Sequence, residues 1–236
     1  MPTGQSSAAR LQPVRGAGWW FSGWASARIM AGVADRHTDR ETFLRRLEES
    51  VAVIEGEQVH GSSVAVVERR RGNGGPVAGC DALITHLPGV TLLVRTADCL
   101  PMFFADPRRG VVGLAHAGWR GLSAALPMRV VAALRRAYQS PADELYVAIG
   151  PAIRDCCYDV GQEFAARFGR QVRRRAARRV CDLIGVARRQ LQQCGVQPSR
   201  LCDARRCTAC EAQHWFSVRR DGEATGRLVS AIMLRP

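Results

Sequence analysis

Apolar residues in the middle of the chain fall into short runs rather than long ones. Residues 82–85, 90–95 and 111–116 are rich in Val, Ile and Leu, and Pro-Gly, Leu-Pro and Asp-Pro pairs lie around them. Runs of this length between turn signals are typical of buried β-strands. The pattern places Cys99 just past the end of one predicted strand and His116 at the end of the next. No apolar run approaches the roughly 18 residues of a membrane-spanning helix, so no membrane partner is expected.

The rest of the pattern alternates helices with strands. Helices are predicted at residues 40–49, 118–138, 160–179 and 181–194, and strands at residues 19–27, 51–54, 64–68, 145–149, 215–218 and 227–234. Residues 69–75 read as a charged, glycine-rich turn, and residues 1–17 lack periodicity, which indicates a loose terminus. Strands grouped centrally with helices between them predict an α+β fold with mixed β-sheets, in a single domain over residues 18–236.

The charge of the chain is carried by one type of basic residue. All 34 basic residues are arginine, and the formal net charge is +13. The absence of lysine excludes a Schiff-base lysine, a P-loop lysine and a lysine general base. Seven arginines lie between residues 167 and 179, with Phe168 as the one aromatic residue among them. A solvated helix face is therefore preferred for this run over a nucleic-acid patch, and an arginine-rich RNA-binding protein is a rival class.

The cysteines indicate a reducing compartment. Nine of them occur at irregular spacing, unlike the even, regular pattern of small secreted domains, so a cytoplasmic protein with reduced thiols is expected. Residues 19–27 imitate a signal peptide ending in Ala-Ser-Ala, but their tryptophans and the Ser22-Gly23 break favour a first strand.

Cys207-Thr-Ala-Cys210 has the spacing of half a zinc ribbon. Because the chain has no second Cys-x-x-Cys, structural thiols are preferred there.

Three residues form a candidate metal site. His60 and His116 both occur in short segments containing glycine, and Cys99 follows Asp98 at a strand end. A catalytic zinc usually takes three protein ligands and leaves its fourth position to water or substrate, so a zinc enzyme is the first hypothesis. A metal-free alternative is a hydrolase or amidase in which Cys99 is the nucleophile and His116 or His60 is its base.

Several segments carry a resemblance to a known family. They are Gln58-Val-His-Gly61, Gly79-Cys-Asp-Ala-Leu-Ile-Thr85, the run from Pro88 to Thr96-Ala-Asp-Cys-Leu-Pro101, His116-Ala-Gly-Trp-Arg-Gly121, Ala148-Ile-Gly-Pro151 with Cys156-Cys-Tyr158, and Phe216-Ser-Val-Arg-Arg220. Together they resemble the polyphenol oxidase or laccase-domain family, whose members are now mostly described as purine nucleoside phosphorylases. The resemblance covers nearly the whole chain and implies a β-sandwich core flanked by helices.

The resemblance also implies an activity and a set of site residues. It implies a zinc ion held by His60, Cys99 and His116, acting on adenosine, inosine or methylthioadenosine together with phosphate, with adenosine deamination as a side activity. Cys99 and His116 are then catalytic, and Asp98 supports the thiolate or acts as a base. By their positions in the matching segments, Arg28, Arg120 and Arg219 are expected to bind substrate phosphate. A monomer or small homo-oligomer is expected.

Two departures from the family pattern leave the substrate open. The usual Arg-His-Gly-Gly-Val-Ser segment is here Arg28-Ile-Met-Ala-Gly32, and Ala187 stands where relatives often have Asn. Some bacterial relatives are named peptidoglycan editing factors, so a peptidoglycan precursor is the alternative substrate for a Cys-His hydrolase. A multicopper oxidase would need paired His-x-His segments, and the five histidines form none. The His-x-Glu and Pro-Cys-x-x-Cys signature of nucleobase deaminases is absent as well.

Overall fold

The computed structural model describes residues 10–24, 28–70 and 75–236. The strands in this part of the chain are β1 (Arg10–Pro13), β2 (Trp19–Ser22), β3 (Ile29–Val33), β4 (Ala52–Glu55), β5 (Val64–Val66), β6 (Ala82–Thr85), β7 (Val90–Thr96), β8 (Leu100–Asp106), β9 (Val111–Ala117), β10 (Tyr146–Ile149), β11 (Val172–Arg175), β12 (Arg178–Cys181), β13 (Leu201–Asp203) and β14 (Leu228–Leu234). The helices are α1 (Arg40–Arg45), α2 (Trp119–Ser123), α3 (Leu126–Tyr138), α4 (Glu163–Phe168), α5 (Leu183–Gln193) and α6 (Val218–Asp221).

Two six-stranded sheets form the centre of the molecule. The first has the strand order β1-β2-β3-β14-β7-β4 and the second the order β13-β10-β8-β9-β6-β5, while β11 and β12 form a separate hairpin. Both large sheets mix parallel and antiparallel neighbours: β4 runs parallel to β7, and β5 runs parallel to β6. This arrangement confirms the predicted α+β class with mixed sheets.

Alternating side chains divide the core into layers. In β8, Phe103 packs with the residues between the two sheets, whereas Met102 and Phe104 point to the opposite face. Successive side chains of a strand point to opposite faces, so one strand supplies both layers. Helices α3 and α5 cover the outer face of the second sheet, and Phe43 of α1 packs on the outer face of the first. The molecule is therefore a β-sandwich with helices on both outer faces.

Most predicted strands are confirmed, with small shifts at their ends. The prediction at 82–85 coincides with β6, and those at 90–95, 111–116 and 227–234 correspond to β7, β9 and β14. Those at 51–54, 64–68 and 145–149 correspond to β4, β5 and β10. The first predicted strand is shorter, Trp19–Ser22, and its residues 25–27 lie outside the described part. The 181–194 helix is confirmed as α5, and the 40–49 helix as the shorter α1.

Four predictions are wrong in ways that have a physical reason. The segment 160–179 is helical only at α4, and its arginines continue into the β11–β12 hairpin, where Val172 pairs with Cys181. The helix over 118–138 is broken into α2 and α3 at Ala125, which has a left-handed φ of 58°. Residues 215–218 do not form a strand, because the Ser217 side chain caps the start of α6.

The fourth correction concerns the chain start, and the structure also contains three further strands, β3, β8 and β13, in segments where no element was predicted. Residues 10–13, expected within a loose terminus, form β1 and pair antiparallel with β2. Strand β8 was missed because Leu100-Pro101 reads as a break, although proline is tolerated near the start of a strand. Within the described ranges, no helix is long and apolar enough to cross a membrane.

Candidate metal centre

The register of two neighbouring strands, together with one loop, brings the candidate ligands together. Strands β8 and β9 pair antiparallel with Pro101 opposite His116, so Cys99, which directly precedes β8, lies beside the end of β9. The loop after β4 adds His60. One ligand atom each of His60, Cys99 and His116 lies within 4.8 Å of the others. The two imidazole rings meet edge to face, with centroids 4.8 Å apart.

A buried carboxylate holds two of the three ligands in place. Oδ1 of Asp81 accepts hydrogen bonds from Nδ1 of His116, at 2.9 Å, and from the backbone N–H of His60, at 3.0 Å. Its Oδ2 accepts the backbone N–H of Gly61, at 2.7 Å. Because Asp81 engages Nδ1 of His116, the Nε2 atom of that ring is left for a ligand. Asp81 therefore fixes the orientation of one imidazole and the position of the other.

The backbone around the ligands adopts conformations that are unusual for residues with a side chain. Gln58, His60 and Asp98 have φ angles of 59°, 59° and 88°. Such conformations cost free energy and persist where the surroundings enforce them. Here the side-chain amide of Gln58 holds the loop in this conformation. Its Nε2 group donates to the carbonyl of Arg95, and its Oε1 accepts the Arg95 N–H. The His60 loop is thus fastened to the edge of β7.

Gly118 leaves space that the cluster needs. A Cβ atom at this position would lie 2.9 Å from Sγ of Cys99 and 3.3 Å from Cδ2 of His60. The first distance is shorter than real Cβ atoms show, so any larger residue would displace the thiol. The sequence therefore has glycine at position 118 because the cluster lies so close, and not because the backbone dihedral angles require it.

The electrostatics of the cluster favour a thiolate. Burial by itself raises the pKa of the Cys99 thiol, but hydrogen bonds and positive charge from His116 and His60 lower it to about 7. Burial also opposes the charged form of His116, yet Asp81 and Cys99 raise its pKa to about 9. Burial likewise opposes the charge on Asp81, whose pKa is nevertheless held below its usual range by His116 and the N–H groups of Gly61 and His60. A thiolate is the form of cysteine that binds metal ions, and a metal ion at His116 would displace the proton that the raised pKa retains, because only the neutral imidazole is a ligand.

The donor set fits zinc. One thiolate and two imidazoles match the ligand types of catalytic zinc sites, which keep a further position open. The burial of the three residues is graded, since His116 is buried, Cys99 is intermediate and His60 is exposed. The exposed side of the cluster opens onto a cavity of about 800 Å³. A metal ion held by these residues would therefore be reached from the cavity.

Arginines surround this cavity. Arg95, Arg120, Arg219 and Arg227 all line it. Arg95 is paired with Glu55, and Arg227 lies 3.6 Å from Glu223. Arg120 packs over the ring of Trp119, 4.7 Å from its centroid, and has no ion-pair partner among the described residues. Arg219 packs over Tyr158 and donates to the carbonyl of Asp159. The cavity is also lined by Glu55, Glu57, Asp98 and Glu223. Arg120 and Arg219, which have no ion-pair partner among the described residues, are therefore the two guanidinium groups available to an anionic ligand.

Asp98 is turned toward the protein rather than the cavity centre. Its Oδ1 accepts the hydroxyl of Thr208 at 2.6 Å, and its Oδ2 accepts the backbone N–H of Arg219 at 2.7 Å. Both oxygens therefore have donors, and the carboxylate joins the start of β8 to the start of α6. This geometry favours a positioning role for Asp98 over the general base considered from the sequence.

The structure does not bring Arg28 to this site. Arg28 directly precedes β3, and its carbonyl accepts the N–H of Arg235. Strand β14 pairs Leu234 with Ile29 near Arg28, but pairs Leu228 with Thr96 near the cluster. Six residue steps of strand separate these ends, which is about 20 Å. The other predicted residues, His60, Asp98, Cys99, His116, Arg120 and Arg219, all line the cavity.

Sequence reasoning missed three contributors to the site. Asp81 lies in the segment 79–85, but its contact with His116 depends on the pairing of β6 with β9. Thr208 reaches Asp98 across 110 positions of sequence. Tyr158 lines the cavity, and burial raises the pKa of its phenol, which therefore stays protonated as a hydrogen-bond donor. The signal for Asp81 was its place directly before a strand, at the same sheet edge as His116.

Comparison with known proteins finds the same fold in a solved structure. A structure of YlmD from Geobacillus stearothermophilus superposes with a TM-score of 0.84 at 32% identity, covering 95% of this chain and 98% of that one. The protein named purine nucleoside phosphorylase YlmD from that organism is 36% identical over 230 residues, which is 89% of this chain and 84% of the relative.

A further relative and a family model extend the comparison. A protein named adenosine deaminase RL5, from an unknown prokaryotic organism, is 32% identical over 190 residues, covering 74% of this chain and 72% of the relative. The family model described as multi-copper polyphenol oxidoreductase laccase matches residues 17–235. This match includes the cavity, the three clustered candidate ligands and both large sheets apart from β1. The chain therefore belongs to the multi-copper polyphenol oxidoreductase laccase family.

Proposed function

We propose that this protein is a zinc-dependent purine nucleoside phosphorylase in which His60, Cys99 and His116 hold the metal. The observation that carries the proposal is the cluster of two imidazoles and one thiol at the wall of a cavity lined by four arginines. The relative from Geobacillus stearothermophilus, named a purine nucleoside phosphorylase, supports the substrate class. Adenosine, inosine and methylthioadenosine are the nucleosides to test.

The choice of zinc over copper rests on the surroundings of the donors. Two histidines and a cysteine also bind copper in electron-transfer proteins, where a weak axial methionine is typical. Among the described residues that line the cavity there is no methionine, and His60 is exposed to the cavity. An open side suits a metal that meets a substrate. Zinc would supply a Lewis acid that stabilises negative charge developing on a reactant.

The residues around the metal have separate tasks in this proposal. Arg120, with no competing carboxylate among the described residues, and Arg219 bind the phosphate. The neutral phenol of Tyr158 donates a hydrogen bond to the nucleoside. Asp98 acts as a positioning residue, because it holds the N–H of Arg219 and the hydroxyl of Thr208. Apolar side chains of Ile153, Leu183 and Val218 line the same cavity and limit the access of water.

Adenosine deamination is a second candidate reaction of the same site. It is favoured by the relative named adenosine deaminase RL5, which covers about three quarters of this chain. The two reactions differ in what they need: phosphorolysis consumes phosphate and releases free base, whereas deamination replaces the amino group of adenine with oxygen from water. The lowered pKa of Cys99 also suits a thiol nucleophile, so the Cys-His hydrolase is the alternative without metal.

The test is nucleoside consumption with and without phosphate. We expect inosine to give hypoxanthine and ribose 1-phosphate at a rate that rises with phosphate. His60→Ala and Cys99→Ala should each lower this rate by more than about 100-fold, because two ligands hold zinc poorly. The matched control is Arg174→Ala/Arg175→Ala in exposed positions of β11, which should stay within a few-fold of the parent.

Three results would contradict the proposal. Conversion of adenosine to inosine alone, indifferent to phosphate, would make deamination the reaction. Turnover that survives complete removal of metal would favour Cys99 as a nucleophile. Absence of any nucleoside turnover in zinc-loaded protein would refute the substrate class and direct attention to peptidoglycan precursors. Because the cysteine pattern favours reduced thiols, we also propose that the reaction takes place in the cytoplasm, where phosphate and nucleosides occur together.

A further inference from the structure

A second cluster of potential ligands lies apart from the His60, Cys99 and His116 centre. It consists of four cysteines, Cys156, Cys157, Cys207 and Cys210, whose sulfur atoms all lie within 4.8 Å of one another. None of the four belongs to the first centre. The Cys-x-x-Cys spacing of positions 207 and 210 indicates half a zinc ribbon, and the structure supplies the other half as an adjacent pair from a distant segment.

Both halves of the cluster are carried by tight turns. The carbonyl of Arg154 accepts the N–H groups of Cys157 and Tyr158, both at 2.9 Å, which folds the first segment into a turn. In the second segment the carbonyl of Cys207 accepts the N–H of Glu211 at 3.1 Å.

Other interactions fix the two turns against each other. Ala152 and Cys207 form a parallel bridge, with the N–H of Thr208 donating to the carbonyl of Ala152 at 3.2 Å. The guanidinium of Arg154 binds the carboxylate of Asp203 through two hydrogen bonds of 2.9 Å. The four thiols are therefore brought together by backbone pairing and a bidentate ion pair rather than by flexible side chains alone.

The spacing of the sulfur atoms fits a shared tetrahedral ion. Zinc–sulfur bonds of about 2.3 Å require tetrahedral sulfur atoms to be about 3.8 Å apart. The contacts Cys156–Cys207 and Cys156–Cys210 are each 3.5 Å, and Cys157–Cys210 is 3.3 Å. Cys156 thus contacts both cysteines of the other turn. Two disulfides would need each sulfur close to one partner, whereas a metal needs all four close together, as found here.

We propose that Cys156, Cys157, Cys207 and Cys210 form a structural zinc site that clamps the 154–158 turn to the 207–211 turn. Four thiolate ligands and no open position are typical of structural zinc. Cys207 is buried, and Cys210 is exposed, so the ion enters from the surface side.

The clamp supports the wall of the nucleoside cavity. Cys157 is followed by Tyr158, which lines the cavity, and Cys207 is followed by Thr208, which donates to Asp98. Loss of the ion would make the positions of Tyr158 and Thr208 less fixed, but it would remove no ligand from the His60, Cys99 and His116 centre. The site therefore contributes to stability and to substrate affinity, while the chemistry stays with the His60, Cys99 and His116 centre.

The first test is metal content of the full-length protein purified anaerobically with zinc. We expect about two zinc ions per chain, about one in Cys157→Ser/Cys210→Ser, and about one in His60→Ala. The double variant should also melt at least about 5 °C lower, because binding free energy of a structural ion is folding free energy. The control is Cys194→Ser, a partly buried cysteine at the end of α5 that should keep both ions.

A second measurement remains decisive if the double variant does not fold. Cobalt added to metal-depleted His60→Ala protein should give the strong charge-transfer and visible bands of a tetrahedral four-thiolate site, and zinc should abolish them. Weak bands typical of fewer sulfur ligands would overturn the proposal. So would unchanged zinc content in Cys157→Ser/Cys210→Ser, or disulfides between the two turns in protein kept anaerobic and alkylated before digestion. None of these readouts depends on nucleoside turnover.

Discussion

Replacing Asp81 with asparagine tests how the proposed His60, Cys99 and His116 metal centre is held. The carboxylate of Asp81 is fully buried and accepts three hydrogen bonds, from Nδ1 of His116 and the N–H groups of His60 and Gly61. Asparagine has the same shape but one acceptor oxygen. In either orientation of the amide, its NH₂ group faces at least one of the N–H donors that the Asp81 carboxylate accepts from. The change therefore removes a hydrogen bond, a charge and a geometric constraint while preserving volume.

The magnitude follows from the contacts that are lost. Losing a hydrogen bond to a charged acceptor costs about 2 kcal/mol when the partner stays buried. Because two of the donors belong to ligand residues, we expect about 2 kcal/mol to appear in metal binding. This is about a 30-fold rise in the zinc dissociation constant, since every 1.4 kcal/mol is about tenfold. The figure lies within the roughly 10- to 100-fold loss usual for such supporting residues.

The assay is zinc affinity by competition with a chromophoric chelator, combined with urea unfolding. Asp106→Asn is the matched control. Asp106 is also fully buried and accepts from the N–H groups of Arg108 and Arg109 and from the Arg109 guanidinium. It lies six residues along β8 from Leu100, about 20 Å from the centre. We expect both variants to lose stability and Asp81→Asn alone to lose zinc affinity.

Two patterns of results would refute this reasoning. In the first, the zinc affinity of Asp81→Asn stays within about threefold of that of the parent protein, and its stability to urea is no lower than that of Asp106→Asn. The carboxylate would then not be holding the ligands. In the second, equal losses of zinc affinity in both variants would show that affinity follows global stability instead.

Three further predictions test other parts of the site. In metal-depleted protein, alkylation of Cys99 should rise with pH around a midpoint near 7, because the thiolate reacts and its pKa is lowered to about 7; a midpoint near the ordinary thiol value of 9.0 would contradict this. Gly118→Ala should reduce zinc content with little loss of secondary structure by circular dichroism, because its Cβ would press on Cys99. Thr208→Val should raise KM for phosphate more than it lowers kcat, because Asp98 loses the donor that helps it hold Arg219; equal changes would argue against a positioning role.

The strands and the three candidate ligands were predictable because their signals are local. Short apolar runs ending at turn signals gave β6, β7 and β9 with nearly correct bounds. Cys99 and His116 stand at the ends of such runs, where side chains meet a sheet edge. His60 was found through its short segment, and its left-handed φ of 59° could not be inferred because glycine or asparagine usually occupies such positions.

The errors arise where tertiary contacts override local preference. The arginine-rich segment after α4 has the composition of a solvated helix, yet it forms a hairpin because Val172 and Cys181 pair and pack. Its turn contains Ala176 at a φ of 53° and lacks the Asn-Gly type of signal that identifies hairpins. Pro101 hid β8, although its carbonyl still accepts the N–H of Gly150.

Long-range partners were beyond the reach of the sequence. Asp81 meets His116 only through the register of β6 and β9, and Thr208 meets Asp98 only after the C-terminal turns fold back on β8. The four-cysteine cluster shows the same limit. The sequence contains the adjacent pair Cys156-Cys157, but only the bridge between Ala152 and Cys207 brings this pair next to Cys207 and Cys210.

The most direct test of the central claim follows the oxygen atoms of the reaction. Adenosine is incubated with the zinc-loaded protein and unlabelled phosphate in water enriched in heavy oxygen, and products are analysed by mass spectrometry. The account predicts adenine and ribose 1-phosphate without heavy oxygen, and neither product from Cys99→Ala. Heavy oxygen in inosine would instead identify deamination, and free ribose formed without ribose 1-phosphate would identify hydrolysis; either as the main product would contradict the proposed phosphorylase.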